Sequence, residues 1–224
     1  MVDLPSQPLG DIDPEFQKIA LETGGLTYGL SGTSTREKLL INLANDVCRE
    51  HLGLAFRLHV HAALSHGVPF ADLLGVVRFI GPYAGYPAAA LERLGAIAAE
   101  LETDLRSAAD KASIDGSSRL PDKHLRPDEG FETTDEWLAS FIASRIERSW
   151  SVPGLSTRER AYLALTADVA QQTLSDSFRV HVRLARESGA KPEEIRDVVR
   201  FLAECGIAKA AAALRELNTI LEAV

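Results

Sequence analysis

The sequence predicts an all-α chain made of two copies of one helical unit in tandem, and three observations predict it. Ala and Leu, the strongest helix formers, are abundant, while aromatics make up only 6%. No segment alternates apolar and polar residues as a strand would, and no β-branched run occurs. The third observation is an ungapped internal repeat. Ser34-Thr35-Arg36-Glu37 returns as Ser156-Thr157-Arg158-Glu159, 122 residues later. In the same register Asp46-Val47 meets Asp168-Val169, and Phe56-Arg57-Leu58-His59-Val60 meets Phe178-Arg179-Val180-His181-Val182. Gly67 meets Gly189, and Val76-Val77-Arg78-Phe79 meets Val198-Val199-Arg200-Phe201. So many matches in one register are read as a duplication.

The elements follow in order within each copy. A short helix is expected near Pro14–Thr23, and its counterpart near Asp135–Arg148. Ser34 and Ser156 then precede Glu37 and Glu159 by three residues, the capping-box spacing that satisfies two orphan backbone donors at a helix start. Leu39, Leu40, Leu43 and Val47 follow at mostly three- and four-residue spacing, as an amphipathic helix requires. A helix from Leu54 to His66, matched by Ser175 to Ser188, stops at Gly67 or Gly189, where Gly accepts the left-handed conformation. A third helix carries Leu73, Leu74, Val76, Val77 and Ile80, and an Ala-rich helix closes each copy near Ala109 and Leu221. Asp115 to Gly130 is polar and rich in turn formers. The expected division is a first unit over 1–112, a linker over 113–131 and a second unit over 132–224.

Composition excludes several classes. The net charge is −8, and no Lys/Arg cluster is dense enough to grip phosphates, so no nucleic acid is expected. Apolar runs fall short of the roughly 20 residues that cross a bilayer. Met1 to Pro5 shows neither the basic nor the apolar region of a signal peptide. Two cysteines, Cys48 and Cys205, form no Cys-x-x-Cys motif and no disulfide scaffold, so a cytoplasmic location is expected. The histidines 51, 59, 61 and 66 invite a metal reading. His59 and His61 do not share a helix face, however, and no carboxylate stands at ligand spacing, so no metal is expected.

The first copy holds Phe56-Arg57-Leu58-His59 with Gly67 eight residues after the His, and then Tyr83-Ala84-Gly85-Tyr86-Pro87-Ala88-Ala89. With Ser34-Thr35-Arg36-Glu37 before them, these elements resemble the carboxymuconolactone decarboxylase family, which shares its fold with alkylhydroperoxidase D. The second copy matches at Leu155 to Glu159, at Phe178 to His181 and at Gly189, but Glu204-Cys205-Gly206-Ile207-Ala208-Lys209 replaces the Tyr-Ala-Gly element. That departure marks the second copy as a candidate degenerate partner. The peroxidase branch of the family places a Cys-x-x-Cys pair just before the His. Here those positions are Leu52 and Ala55, and Leu174 and Ser177 in the second copy, so thiol peroxidase chemistry is not expected.

The resemblance implies a lyase that needs no metal and no cofactor and acts on a small carboxylated lactone or related unsaturated acid. A carboxylate conjugated through a double bond to a lactone carbonyl can leave as CO2, because the carbonyl accepts the electrons. His59 is the candidate general acid, since imidazole titrates near operating pH. Tyr83 is the candidate donor to the oxygen that gains charge. Arg36 and Arg57 are candidate carboxylate binders, and Glu37 a candidate to orient His59, besides its role as a cap. His181, Glu159 and Arg179 are the second-copy equivalents. Each also has a structural reading: His59 as a packed core histidine, Tyr83 as a core residue at a helix bend, Arg57 and Arg179 as ion pairs. Two alternatives stand beside the lyase: an alkylhydroperoxidase-like antioxidant protein, and a non-catalytic protein that binds a small ligand or assembles. Single-unit relatives form trimers or hexamers, so the resemblance implies a homotrimer, a ring of six pseudo-equivalent units.

Overall fold

The computed structural model describes residues 9–102 and 126–222. Ten α-helices lie among them: α1 Pro14–Tyr28, α2 Thr35–Cys48, α3 Leu54–Ser65, α4 Phe70–Ala84, α5 Ala88–Glu100, α6 Glu136–Trp150, α7 Thr157–Gln171, α8 Asp176–Glu187, α9 Pro192–Phe201 and α10 Ile207–Glu222. No strand occurs among the described residues. The starts of α6, α7, α8 and α9 follow those of α1, α2, α3 and α4 by the same 122 residues that separate the repeated motifs. Residues 113–125 of the expected linker, and the expected helix end near Ala109, lie outside the described residues.

Both capping boxes form. Ser34 Oγ accepts from the Glu37 amide at 3.1 Å while Glu37 Oε2 accepts from the Ser34 amide at 2.7 Å, and Ser156 and Glu159 repeat this at 3.2 and 2.7 Å. Gly67 and Gly189 stop α3 and α8 with φ of +80° and +92°. α1 runs past its expected end at Thr23, through Gly24 and Gly25. Its last turn is held by tertiary contacts that propensity cannot foresee. The Tyr28 ring meets Phe201 edge-on at 5.2 Å, and the Thr27 hydroxyl donates to Glu204.

Helices α2 and α7 pack on each other at the centre and are buried almost all round, as helices enclosed by others must be. Leu39, Leu40, Ile41, Ala164 and Leu165 have no exposed surface. Burying each of the larger aliphatic side chains contributes about 1.5–3 kcal/mol relative to leaving it in water. α3 and α4 pack on α2, and α8 and α9 on α7. α4 also packs on α7 and α9 on α2, so the two halves share one core.

A part-buried ionic network joins the halves and repeats itself across them. Arg36 donates through Nε to Glu159 at 2.6 Å, through Nη1 to Asp72 at 2.8 Å and through Nη2 to the Gly154 carbonyl at 2.9 Å. Arg158 donates in the same pattern to Glu37 at 2.8 Å, to Glu194 at 2.9 Å and to the Gly32 carbonyl at 3.5 Å. Gly154 has φ +90°, and a Cβ there would stand 2.7 Å from Asp72 Oδ1, so only Gly fits. The structure therefore corrects two expectations. Arg36 is spent on carboxylates and a carbonyl of its own chain, and Glu37 caps α2 and binds Arg158 rather than orienting His59. Glu159, its counterpart, likewise caps α7 and binds Arg36.

Candidate active site

Each half holds a histidine–aspartate pair built the same way. The second helix of the half supplies the acid and the third supplies the base, thirteen residues on. His59 Nδ1 donates to Asp46 Oδ2 at 2.6 Å, and His181 Nδ1 donates to Asp168 Oδ2 at 2.6 Å. Asp46, not Glu37, orients His59. The signal was present in the sequence, since Asp46 and Asp168 coincide in the repeat, but only the packing of α2 on α3 and of α7 on α8 brings acid to base.

The surroundings of the two pairs differ. Asp168 is also bound through Oδ1 by the hydroxyls of Thr173 and Ser177, both at 2.9 Å. His181 has no exposed surface, and its Nε2 has no hydrogen-bond partner. Over it lie three aromatic rings: Tyr83 at 5.7 Å, Phe131 at 6.1 Å and Trp150 at 6.5 Å between centroids. Tyr83 was expected beside His59, but the structure sets it against the histidine of the other half. The cause is the crossing of α4 onto α7. Trp150 Nε1 donates to the Tyr83 hydroxyl at 2.8 Å, which leaves the phenol proton free to be donated elsewhere. Burial pushes the Tyr83 pKa up, outweighing the Trp150 hydrogen bond, so the phenol stays protonated. Phe131 reaches its place from the 3₁₀ turn Glu129–Phe131, at the end of the expected linker. A Cβ on the adjacent Gly130 would lie 2.5 Å from Ser177 Cα, so this close approach needs a glycine.

The first pair is more open. The His59 side chain is 26% exposed. Burial lowers its pKa, but the Asp46 hydrogen bond and the charges of Asp46 and Glu204 outweigh this and raise it overall. Glu204 and Cys205 stand where the repeat would place Pro82 and Tyr83. Burial raises the Glu204 pKa, opposed by the Thr27 hydroxyl and the His59 charge. Because the folded pKa of His59 lies above its unfolded value, the pair contributes its full stability below the ordinary histidine range. That contribution is lost as pH rises through the raised folded value. The stability advantage of wild type over His59→Gln is therefore expected to be larger at pH 5.5 than at pH 9 in urea unfolding. An advantage equal at the two pH values would contradict this coupling.

The remaining candidates lie at the surface. Arg57 pairs with Glu100 at 2.8 Å with both side chains about half exposed, and Arg179 approaches Glu216 at 3.6 Å. Neither reaches a histidine–aspartate pair. The cysteines are free, and burial pushes both thiols up to about 12, so neither is a thiolate near neutral pH. A cavity of about 160 Å³ opens instead beside the second pair, at the end of α4 and between α6 and α7. Tyr83, Phe131 and Asp168 belong to its wall, with Phe141, Gln171 and Arg145. Gln171 Nε2 donates to the Tyr83 carbonyl at 2.6 Å and fixes the end of α4 against α7. Arg145 and Phe131 were not among the expected site residues, because they lie outside every repeated motif.

An all-helical core carrying two histidine–aspartate pairs, one enclosed and one open, is thus the class of protein the geometry defines. Residues 136–219, from the start of α6 into α10, match the model of the Carboxymuconolactone decarboxylase family. The match falls on the half whose Tyr-Ala-Gly element has diverged, and that half contributes His181 and Asp168. A solved structure of a Burkholderia xenovorans LB400 protein, assigned by name as a gamma-carboxymuconolactone decarboxylase subunit, is similar in fold. It superposes with a TM-score of 0.58 at 19% identity, over 96% of this chain and 89% of that one. No curated protein matches the sequence significantly. Among the described residues no helix is long and apolar enough to cross a membrane.

Proposed function

We propose that the chain is a cofactor-independent lyase for a small unsaturated carboxylic acid of the carboxymuconolactone type, acting at the cavity beside Tyr83 and His181. The single observation that carries this reading is a cavity, its wall drawn from both halves of the chain, that is lined by the Tyr83 phenol and by Asp168, the acid that holds the His181 imidazole behind the Tyr83 ring. In the reaction the carbon–carbon bond to the carboxylate breaks and CO2 leaves. The electron pair moves through the double bond to the lactone carbonyl oxygen. The Tyr83 hydroxyl donates to that oxygen as its charge grows. A proton then goes to carbon, and we assign its delivery to Nε2 of the imidazolium form of His181, which Asp168 holds behind the Tyr83 ring rather than in the cavity wall. A homotrimer of such chains remains the assembly we propose, with the exposed Phe16, Ile19, Trp137 and Phe141 as the faces it would cover.

The test is CO2 release from 4-carboxymuconolactone by wild type, Tyr83→Phe, His181→Gln and His59→Gln. Tyr83→Phe and His181→Gln are each expected to lower kcat by about 100-fold. His59→Gln is expected to leave kcat nearly unchanged. Loss in His59→Gln with activity retained in His181→Gln would move the site to the first pair. A second reading, a binding protein without turnover, is favoured by the complete burial of His181. No turnover by folded wild type would select it. A thiol peroxidase is disfavoured by two protonated thiols that lie outside the Cys-x-x-Cys positions.

A further inference from the structure

The cavity beside Tyr83 holds one unspent cation. Arg145 lines it, and its Nε is buried without a hydrogen-bond partner, a costly state unless something fills it. Its Nη2 donates only to the neighbouring Ser144 hydroxyl at 2.8 Å, and the guanidinium lies 5.9 Å from the Phe141 ring centre. Among the described residues no carboxylate pairs with it. Asp168, the acid on the same wall, is already bound by three side-chain donors. An incoming anion therefore meets a guanidinium with free donor capacity and no acid competing for it.

We infer that Arg145 is the carboxylate anchor of this cavity and holds a small, flat carboxylate whose unsaturated body packs on Phe131 and Phe141. The inference rests on the proposed function for the location of the site, and it adds the group that fixes the substrate's charge. A guanidinium fork matches a carboxylate in geometry and charge. Phosphate is tetrahedral and has no flat apolar body to lay on the aromatic walls. About 160 Å³ admits a single small ring but not a drug-sized or nucleotide ligand, which fills several hundred. Aromatic walls favour a planar ring over a saturated one. Bound by its carboxylate at Arg145, such a ring would turn its far side toward the Tyr83 hydroxyl.

The experiment is a binding titration that needs no turnover. Trp150 bonds Tyr83, and Trp137 stacks on Phe141 at 5.3 Å, so intrinsic tryptophan fluorescence reports on both walls. The probes are 2-furoate, its neutral isostere 2-furamide and inorganic phosphate, titrated into the full-length protein. Saturable quenching by 2-furoate is expected, with affinity at least about tenfold above that for 2-furamide or phosphate. Arg145→Gln is expected to erase that preference, and Arg145→Lys to keep part of it. Equal binding of acid and amide by wild type overturns the anchor even where the Gln variant fails to fold. So does phosphate binding tighter than 2-furoate, or an unchanged affinity in folded Arg145→Gln. If 2-furoate binds through Arg145 while 4-carboxymuconolactone is not turned over, the anchor stands and the lyase reading fails. If 4-carboxymuconolactone is turned over with KM unchanged in Arg145→Gln, the lyase reading stands and the anchor fails.

Discussion

Asp168→Ala is expected to destabilise the fold by about 3–5 kcal/mol, the range found when one partner of a buried charged pair is removed. Asp168 is only 2% exposed and receives His181, Ser177 and Thr173, and the imidazole it holds has no access to water. Removing the acid leaves the enclosed imidazole donor with nothing to accept it, while the Ser177 hydroxyl keeps the Thr173 carbonyl at 3.1 Å and the exposed Thr173 can turn to water. The matched control is Asp46→Ala. Asp46 is just as buried, but its histidine is a quarter exposed, and the residues aligned with Ser177 and Thr173 are Ala55 and His51. Water can reach the orphaned imidazole there, so the loss is expected to be about 1–3 kcal/mol. Urea unfolding of both variants at pH 7 makes the comparison. Equal losses at the two sites would mean that the extra hydroxyls contribute nothing.

Arg36→Met is the second large effect, with an expected loss of about 3–4 kcal/mol. Methionine keeps the length of the apolar stem, so the change isolates the guanidinium. Asp72 has no exposed surface and Glu159 almost none, and both lose a charged partner at once. The Gly154 carbonyl loses a donor as well. Arg57→Met provides the contrast: its pair with Glu100 is half exposed, and exposed pairs are worth about 0–1 kcal/mol. The two substitutions remove the same chemical group, so the difference between them measures burial. Chemical unfolding monitored by far-UV circular dichroism gives both values. A loss in Arg36→Met no greater than in Arg57→Met would mean that the network linking the halves is energetically idle.

The sequence alone determined the helices, because their causes are local. Capping boxes at Ser34 and Ser156 and glycine stops at Gly67 and Gly189 act within a turn or two of the chain. The repeat also announced two copies of every motif, His59 with His181 and Asp46 with Asp168. What it could not determine was which residues meet. Tyr83 stands against His181 rather than His59, Arg36 bonds Glu159 and Asp72 rather than a substrate, and Asp46 takes the role expected of Glu37. Each of these partnerships depends on how α4 crosses α7 and how α2 lies along α7. That packing is chosen by the burial of whole helix faces, a property of shape and summed apolar area that no short motif encodes. Phe131 and Arg145 lie in no repeated element and acquire a place in the cavity only when α6 packs on α4 and the turn before it packs on α8. The fold was therefore legible in local spacing, while the candidate site is a product of the interface between the two halves.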